Sequence, residues 1–329
     1  MKISVIIAAY KGGKFIKEQL LSLCQQTRLP DTVLIGDDSG DDLGTFEAVQ
    51  EFRREHVLPF ELKFFRNQNP SGVNNNFRNL AEKAEDDIIF FCDQDDLWLP
   101  EKIDKLARVF EKEPLIDAVC CFSFLTDGAL VPWQTQDESE LKNALLYGSD
   151  RKKLFQIFLS HKICGAGHNI AIRRTLVRKL PFWDPILLYD LWTLHSAAAA
   201  EKLLLLPERL TMHRVHEQNL TISSESYVGG SIFRRLKTME RGGKECREFT
   251  RLLAERSAFA EELKKSPLSQ EIPPERLKMA DEAVSYLKQR IAFRHRFFLF
   301  RLFPSLSLLK GYFTYGNGLR SLIRDAAGI

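Results

Sequence analysis

Three short apolar runs, Ile3–Ala9, Thr32–Gly36 and Ile88–Cys92, divide the first third of the chain. Each is rich in Ile, Val or Phe and ends in small or polar residues, the pattern of strands buried on both faces. Helical patterns lie between them. Phe15–Gln26 sets Phe15, Ile16, Leu20 and Leu23 on one face, and Phe46–Glu55 and Phe77–Ala84 fill the next two gaps. Strands alternating with helices predict a doubly wound α/β sheet, mostly parallel. Ligands bind such sheets beyond the carboxyl ends of the strands. Here those ends are Ala8-Ala9-Tyr10, Asp37-Asp38-Ser39 and Asp93-Gln94-Asp95-Asp96.

Further along, Leu99–Phe110 reads as a helix with Pro100 near its first turn, and Ala118–Leu125 as a strand. Asp127 to Asp150 is polar and reads as an irregular loop over the site. Lys153–Leu159 and Leu191–Ala200 fit helices, and Asn169–Ile172 a short strand. After Ser224 the texture changes to basic helical segments, Glu245–Lys264 and Pro274–Phe303, broken near Pro267, Pro273-Pro274 and Pro304. This divides the chain into residues 1–224 and a helical C-terminal extension, 225–329. The 329 residues, 44% hydrophobic, suit one large core or a core with an appendage.

Charge follows the same division. From Glu225 onward there are 20 Lys and Arg against 12 Asp and Glu, although the whole chain is only +3, so the front is acidic. From Arg276 the ratio is ten to three, and Phe293, Phe297, Phe298, Phe300 and Phe303 interleave with Arg290, Arg294, Arg296 and Arg301. No apolar stretch there is long enough to span a bilayer. Two readings stay open: a helix lying on an anionic membrane surface, or one packed on the preceding domain with Phe inward. No nucleic-acid reader motif is present. The six cysteines are scattered without metal spacing, four of them in apolar runs, which fits reduced thiols of a cytosolic protein. The opening residues read as a strand and not as a secretory signal.

The chemistry concentrates at Asp93-Gln94-Asp95-Asp96. Three carboxylates in four residues repel one another, and partial burial is costly without a cation. Mg²⁺ or Mn²⁺ takes such oxygens and bridges them to substrate phosphates. A solvated acidic turn is the alternative.

These motifs together resemble the inverting family 2 glycosyltransferases. Val5-Ile6-Ile7-Ala8-Ala9-Tyr10-Lys11 is similar to the family's opening strand and turn, and Gln26-Thr27 to its Gln-Thr. Asp37-Asp38-Ser39 matches its Asp-Asp-x-Ser, and Asp93 to Asp96 its Asp-x-Asp-Asp. The resemblance covers about the first 220 residues and implies a GT-A fold, a Rossmann-like sheet flanked by helices. It implies that Ala8, Tyr10 and Asp38 line the base and ribose pocket, that Asp93 faces the ribose and that Asp95 holds the divalent metal. Lys11 stands where the family often has Asn, and Phe77 where it often has Arg; Asn74 and Asn76 are the polar residues left to serve that wall. Tyr189-Asp190-Leu191-Trp192 resembles the acidic motif whose Asp is the general base, which would make Asp190 the base and set Trp192 near the acceptor. Capping of the following helix is the plainer role for Asp190.

Met212–Asn219 resembles the Tyr-Arg-x-His-x-x-Asn segment of polysaccharide-type members. It implies that Arg214 meets the diphosphate and His216 completes the metal shell. The glycine-rich turn Gly165–Asn169 would lie near the acceptor, with His168 touching it. The implied donor is a uridine or thymidine diphosphate sugar, rhamnose among the candidates. The implied acceptor is a glycan or lipid-linked saccharide of surface polysaccharide or lipopolysaccharide assembly. A peripheral place on the inner face of the cytoplasmic membrane would suit the latter. Two other readings compete: a sugar nucleotidyltransferase, for which Lys11-Gly12-Gly13-Lys14 is a thin basic loop, and a non-catalytic nucleotide-sugar-binding scaffold.

Overall fold

The computed structural model describes residues 1–133, 138–160, 165–180, 188–216, 257–294, 304–316 and 318–327. Eight strands form one sheet in the order β3-β2-β1-β4-β7-β6-β8-β5. They are β1 (Ile3–Ala9), β2 (Thr32–Asp37), β3 (Glu61–Arg66), β4 (Ile88–Asp93), β5 (Leu97–Trp98), β6 (Ala118–Thr126), β7 (Ile170–Arg173) and β8 (Leu203–Arg214). The first four are mutually parallel, whereas β7 is antiparallel to both β4 and β6, and β5 to β8. The sheet is therefore mixed, with its parallel half at the N-terminal end of the chain.

Alternation along the apolar runs assigns each side chain to a layer. Val5, Ile7, Val33, Ile35, Phe90 and Cys92 point to one face, where they meet Ile16, Leu20 and Leu23 of α1 (Ile16–Cys24). Val49 and Phe52 of α2 (Gly44–Glu55) and Leu106 and Phe110 of α4 (Lys102–Lys112) complete that layer. Ile6, Leu34, Ile89 and Phe91 point to the other face. There they meet Phe77 and Leu80 of α3 (Val73–Lys83), Phe155 and Phe158 of α6 (Arg151–Leu159) and Leu194 of α8 (Tyr189–Ala199). Full burial of each such side chain contributes about 1.5–3 kcal/mol, so both layers fix the strand ends firmly.

Three parts of the chain depart from expectation. β3 escaped the sequence reading because it is an edge strand carrying Glu61, Lys63 and Arg66. β8 escaped because Pro207 and Glu208 interrupt it; the register against β6 shifts there, and a bulge is where a strand tolerates proline. The stretch expected to be irregular contains a helix, α5 (Ser139–Tyr147).

The described C-terminal helices share the second core: Phe259, Leu263, Leu287, Phe293 and Tyr312 belong to the cluster that holds Trp192 and Phe158. Of the two readings left open, packing holds for Phe293, which is buried, and for Arg290 and Arg294, whose guanidinium groups bond buried Asp325. The boundary at 224/225 and residues 295–303 lie outside the described residues. Cys24, Cys92, Cys120 and Cys121 are free thiols, and Cys164 and Cys246 lie outside the described residues. Burial pushes the thiols of Cys92, Cys120 and Cys121 up, so they are structural.

Candidate active site

Strand order places the cleft. From β1 the chain builds outward to β2 and β3 over one face, then crosses the other face through α3 to β4 on the opposite side of β1. The order reverses between β1 and β4, and the divergent loops there leave a crevice. The register sets Ala8 between Gly36 and Asp93 at its floor. Gln94 joins the two loops: its Oε1 accepts from the Tyr10 N–H at 2.9 Å and its Nε2 donates to the Tyr10 carbonyl at 3.0 Å. A Cβ on Gly12 would lie 2.2 Å from that Oε1, so this approach requires glycine. The Tyr10 ring is exposed at the lip, a platform for a planar group.

Asp38, at the end of β2, is buried and braces the wall. Its Oδ1 accepts from Asn67 Nδ2 at 2.7 Å, and its Oδ2 from the Ser71 and Gly72 N–H groups at 2.9 and 2.7 Å. A carboxylate offers about four acceptor positions, which leaves one for a ligand. Asn76 does not face the cleft as expected: it is buried, donating to the Gly36 carbonyl at 2.8 Å and accepting from Asn67. Asn74 Oδ1 accepts from the Tyr189 N–H at 3.0 Å and ties α3 to the start of α8.

The acidic loop runs from the end of β4 to β5. Because β5 pairs with the last residues of β8, Leu97 opposite Met212, the strand delivers His213 and Arg214 onto the loop. Asp96 Oδ1 accepts from His213 Nδ1 at 2.8 Å and from the Arg214 N–H at 3.1 Å, while Asp96 Oδ2 lies 3.3 Å from His168 Nδ1. Burial opposes the charge on Asp96, but His168 and His213 outweigh it and hold the carboxyl well below the usual range. Burial likewise opposes the charge on His213, and Asp96 reverses that, pushing it up to about 9. The rings of His168 and His213 stack at 4.5 Å. Beneath them the buried Lys102 donates to the His168 carbonyl at 2.5 Å and to Thr211 Oγ1 at 2.7 Å.

Two expectations change here. Arg214 is buried and its nitrogens are engaged: Nε by the Asp95 carbonyl at 2.9 Å, Nη1 by the Gly128 carbonyl at 2.7 Å and Nη2 by Glu18 at 2.5 Å. It fixes the loop from behind and does not point a free fork at a diphosphate. His168 is also buried, with Nδ1 3.1 Å from Asp93 and Nε2 2.8 Å from Ser123 Oγ. Both ring nitrogens are occupied, so it sits under the site and offers nothing to an acceptor.

Asp95 and His216 meet on this loop, Oδ2 to Nε2 at 2.9 Å. That is a hydrogen-bond distance, and it is also compatible with adjacent positions on an octahedral ion bound at 2.0–2.1 Å, whose ligands stand about 3.0 Å apart. A second group of ligand-type atoms, from Asp93, Asp96, His168 and His213, falls within 4.8 Å. Its three buried members pair with one another and its fourth, Asp93, has the most exposed side chain, 34%, whereas Asp95 and His216 pair with each other.

Asp190 stands half-buried in the first turn of α8. Burial pushes its carboxyl up to about 6, with Asp93 adding to the rise and the N–H groups of Leu191 and Gly167 and the charge of His168 opposing it. Its neighbour Tyr189 packs on Phe77 and Phe91, ring centroids 4.2 and 5.2 Å away. The Tyr189 hydroxyl passes so close to Gly167 that a Cβ there would lie 1.7 Å from it. Trp192 faces the other way: it is 1% exposed and packs on Phe259 at 4.7 Å, so it is a core residue and not an acceptor platform. Gln94, Asp96, His213 and Gly167 are site residues that the sequence reading quoted within motifs but gave no role; each acts through a partner far away in the chain.

The family pattern for glycosyl transferase family 2 matches residues 4–180. An uncharacterized glycosyltransferase of Nostoc sp. is 24% identical over 233 residues, 69% of this chain and 68% of its own length. The dTDP-rhamnosyl transferase RfbG of Shigella flexneri is 32% identical over 105 residues, covering 30% of this chain and 34% of its own. Among solved structures, S. aureus TarS 1–349 in complex with UDP-GlcNAc superposes with a TM-score of 0.57 at 18% identity, over 99% of this chain and 82% of that one. The mannosyltransferase PcManGT from Pyrobaculum calidifontis, in complex with GDP-Man and Mn²⁺, gives 0.50 at 16% identity over 99% and 86%. The structural likenesses show a shared fold. With more than half of the chain inside the family pattern and the acidic loop at the switch point of its sheet, the chain belongs to glycosyl transferase family 2 and is a glycosyltransferase.

Proposed function

We propose that the protein transfers a sugar, with inversion, from a uridine or thymidine diphosphate sugar to a hydroxyl of a glycan or lipid-linked saccharide. The observation that carries the reading is the position of Asp190: a carboxylate pushed up to about 6 by burial, electrostatically linked to Asp93 across the crevice and without a cation paired to it among the described residues. Such a group is ionised at neutral pH yet basic enough to accept a proton from an attacking hydroxyl. Tyr10 supports the base of the nucleotide, Asp38 supplies its remaining lone pair, and Asp93 faces the ribose. Asp95 and His216 hold the divalent ion, whose chemistry is to neutralise the diphosphate as it leaves. Gly167 and Tyr189 hold Asp190 toward the reacting centre. With Asp190 as base, the acceptor hydroxyl displaces the nucleoside diphosphate in one step, and a single displacement inverts the anomeric carbon.

Rhamnose as the transferred sugar draws support from the likeness to the dTDP-rhamnosyl transferase RfbG. The test is a panel of UDP-, dTDP- and GDP-sugars with Mn²⁺ or Mg²⁺, read by thermal shift and then by donor turnover. One donor should stabilise the protein only with metal, and Asp95→Ala should abolish both stabilisation and turnover, while Asp190→Ala abolishes turnover alone. Stabilisation without turnover on any acceptor would leave a binding scaffold; release of diphosphate from a nucleoside triphosphate would indicate a nucleotidyltransferase.

A further inference from the structure

The last described helix turns polar residues inward, and it and the helix before it leave large apolar side chains outside. In Leu319–Ala327, Ser321 and Asp325 are buried, whereas Leu319 and Ile323, one turn apart, are each 58% exposed. Asp325 is fixed inside by Arg290, Arg294 and the Tyr312 hydroxyl. The preceding helix, Leu306–Tyr315, buries Leu308, Tyr312 and Tyr315 and leaves Leu306, Lys310 and Phe313 outward at helical spacing, Leu306 85% and Phe313 67% exposed. A Cβ on Gly318 would lie 3.3 Å from the Phe313 ring, so the two apolar stripes adjoin. Phe313 also lines a cleft of about 120 Å³ with Tyr147, Lys153 and Ile157, and the exposed Leu145 and Leu146 immediately precede Tyr147. Single exposed leucines are ordinary, but a run of large apolar side chains across neighbouring elements marks a contact surface.

The charge around this surface is net positive: Arg151 and Lys153 at the start of α6 pair with Glu113 and Asp150, while Lys152 between them and Lys310 within the stripe are exposed. The one acid of the two terminal helices, Asp325, is buried and paired. We propose that this face docks on an anionic lipid surface. Leu306, Phe313, Leu319 and Ile323 enter the boundary between headgroups and acyl chains, and Lys152 and Lys310 meet lipid phosphates. A second copy is the poorer occupant, because a twofold interface sets the same basic residues against themselves. No described helix is long and apolar enough to cross a membrane. The inference deepens the reading of a lipid-linked acceptor, yet the surface stands apart from the donor site and is tested apart from it.

Full-length protein is floated with vesicles of phosphatidylcholine alone or mixed with phosphatidylglycerol, over a range of salt. Binding to the anionic vesicles is expected, weakening as salt rises. Phe313→Ser/Ile323→Ser should lower it about tenfold or more, and Lys152→Glu/Lys310→Glu should do so on anionic vesicles only. Donor hydrolysis in solution, unchanged in both double variants, shows that they fold; its failure in the unmodified protein would count against the transferase reading and not against docking. Absence of wild-type flotation on either vesicle, or flotation indifferent to both variants, overturns the proposal. So does a dimer by light scattering that Phe313→Ser/Ile323→Ser dissociates, since a second copy would then cover the face.

Discussion

The two halves of the sheet place their functional groups by different means. In the parallel half, β3-β2-β1-β4, Ala8, Tyr10 and Asp38 ride on strand ends whose register is set by side chains buried on both faces. In the mixed half, position comes from polar side chains reaching across the fold: His213 to Asp96, Arg214 to Glu18 and Asp95, His168 to Asp93, and Tyr189 over Gly167. The first half is secured by hydrophobic burial and leaves the exposed Tyr10 ring and one acceptor position of Asp38 to a ligand. The second spends its polar groups on one another, so single changes there should be felt widely. Removing one partner of a buried charged pair costs about 3–5 kcal/mol, because the other is left uncompensated.

The largest effect should come from Asp190→Asn. Transfer should fall about 10³-fold with donor affinity within about threefold, read by turnover and by nucleotide titration. The same change should stabilise the fold. A carboxyl with a folded pKa of about 6, against about 3.9 unfolded, binds its proton more tightly when native, so its stabilising contribution is present below about pH 4 and is lost as pH rises to about 6. At pH 7 the Asn variant should therefore melt higher, by an amount worth up to about 3 kcal/mol. Gly167→Ala should follow, with turnover down some 10- to 100-fold as Tyr189 is pushed aside and Asp190 with it, and with nucleotide binding unaltered.

The smallest effects separate the two halves directly. Tyr10→Ala should weaken nucleotide binding several-fold and leave the melting temperature within a degree or so, since the ring is exposed. His213→Gln should do the reverse, lowering stability by about 3 kcal/mol in denaturant titration because Asp96 loses its closest partner. Equal stability losses from both variants would erase the distinction.

The same contrast explains what could be read in the sequence. β1, β2 and β4 were legible because strands buried on both faces are unbroken apolar runs, and their ends carried the nucleotide-side residues with them. β8 was not, because Pro207 and its charged neighbours hide a strand that only a bulge against β6 can accommodate. Asp96 and His213 are 117 residues apart, and nothing local to either announces the other. Trp192 read as an acceptor contact because it follows Asp190. α8, however, is buried nearly all round, so its sequence has no polar face from which to tell the cleft from the core. Arg214 and His168 were found as site residues but with roles reversed: cations beside an acidic loop suggest ligand binding, and only their partners reveal that they hold the loop instead.

The central claim is that Asp190 takes the acceptor proton, and the pH profile of single-turnover transfer at saturating donor and metal tests it most directly. The rate should level off above about pH 6 and fall about tenfold per unit below it, following the ionisation of Asp190, and the residual rate of Asp190→Asn should lose that limb. A wild-type profile that stays flat to about pH 5, or an Asp190→Asn profile that keeps the same limb, would contradict the assignment.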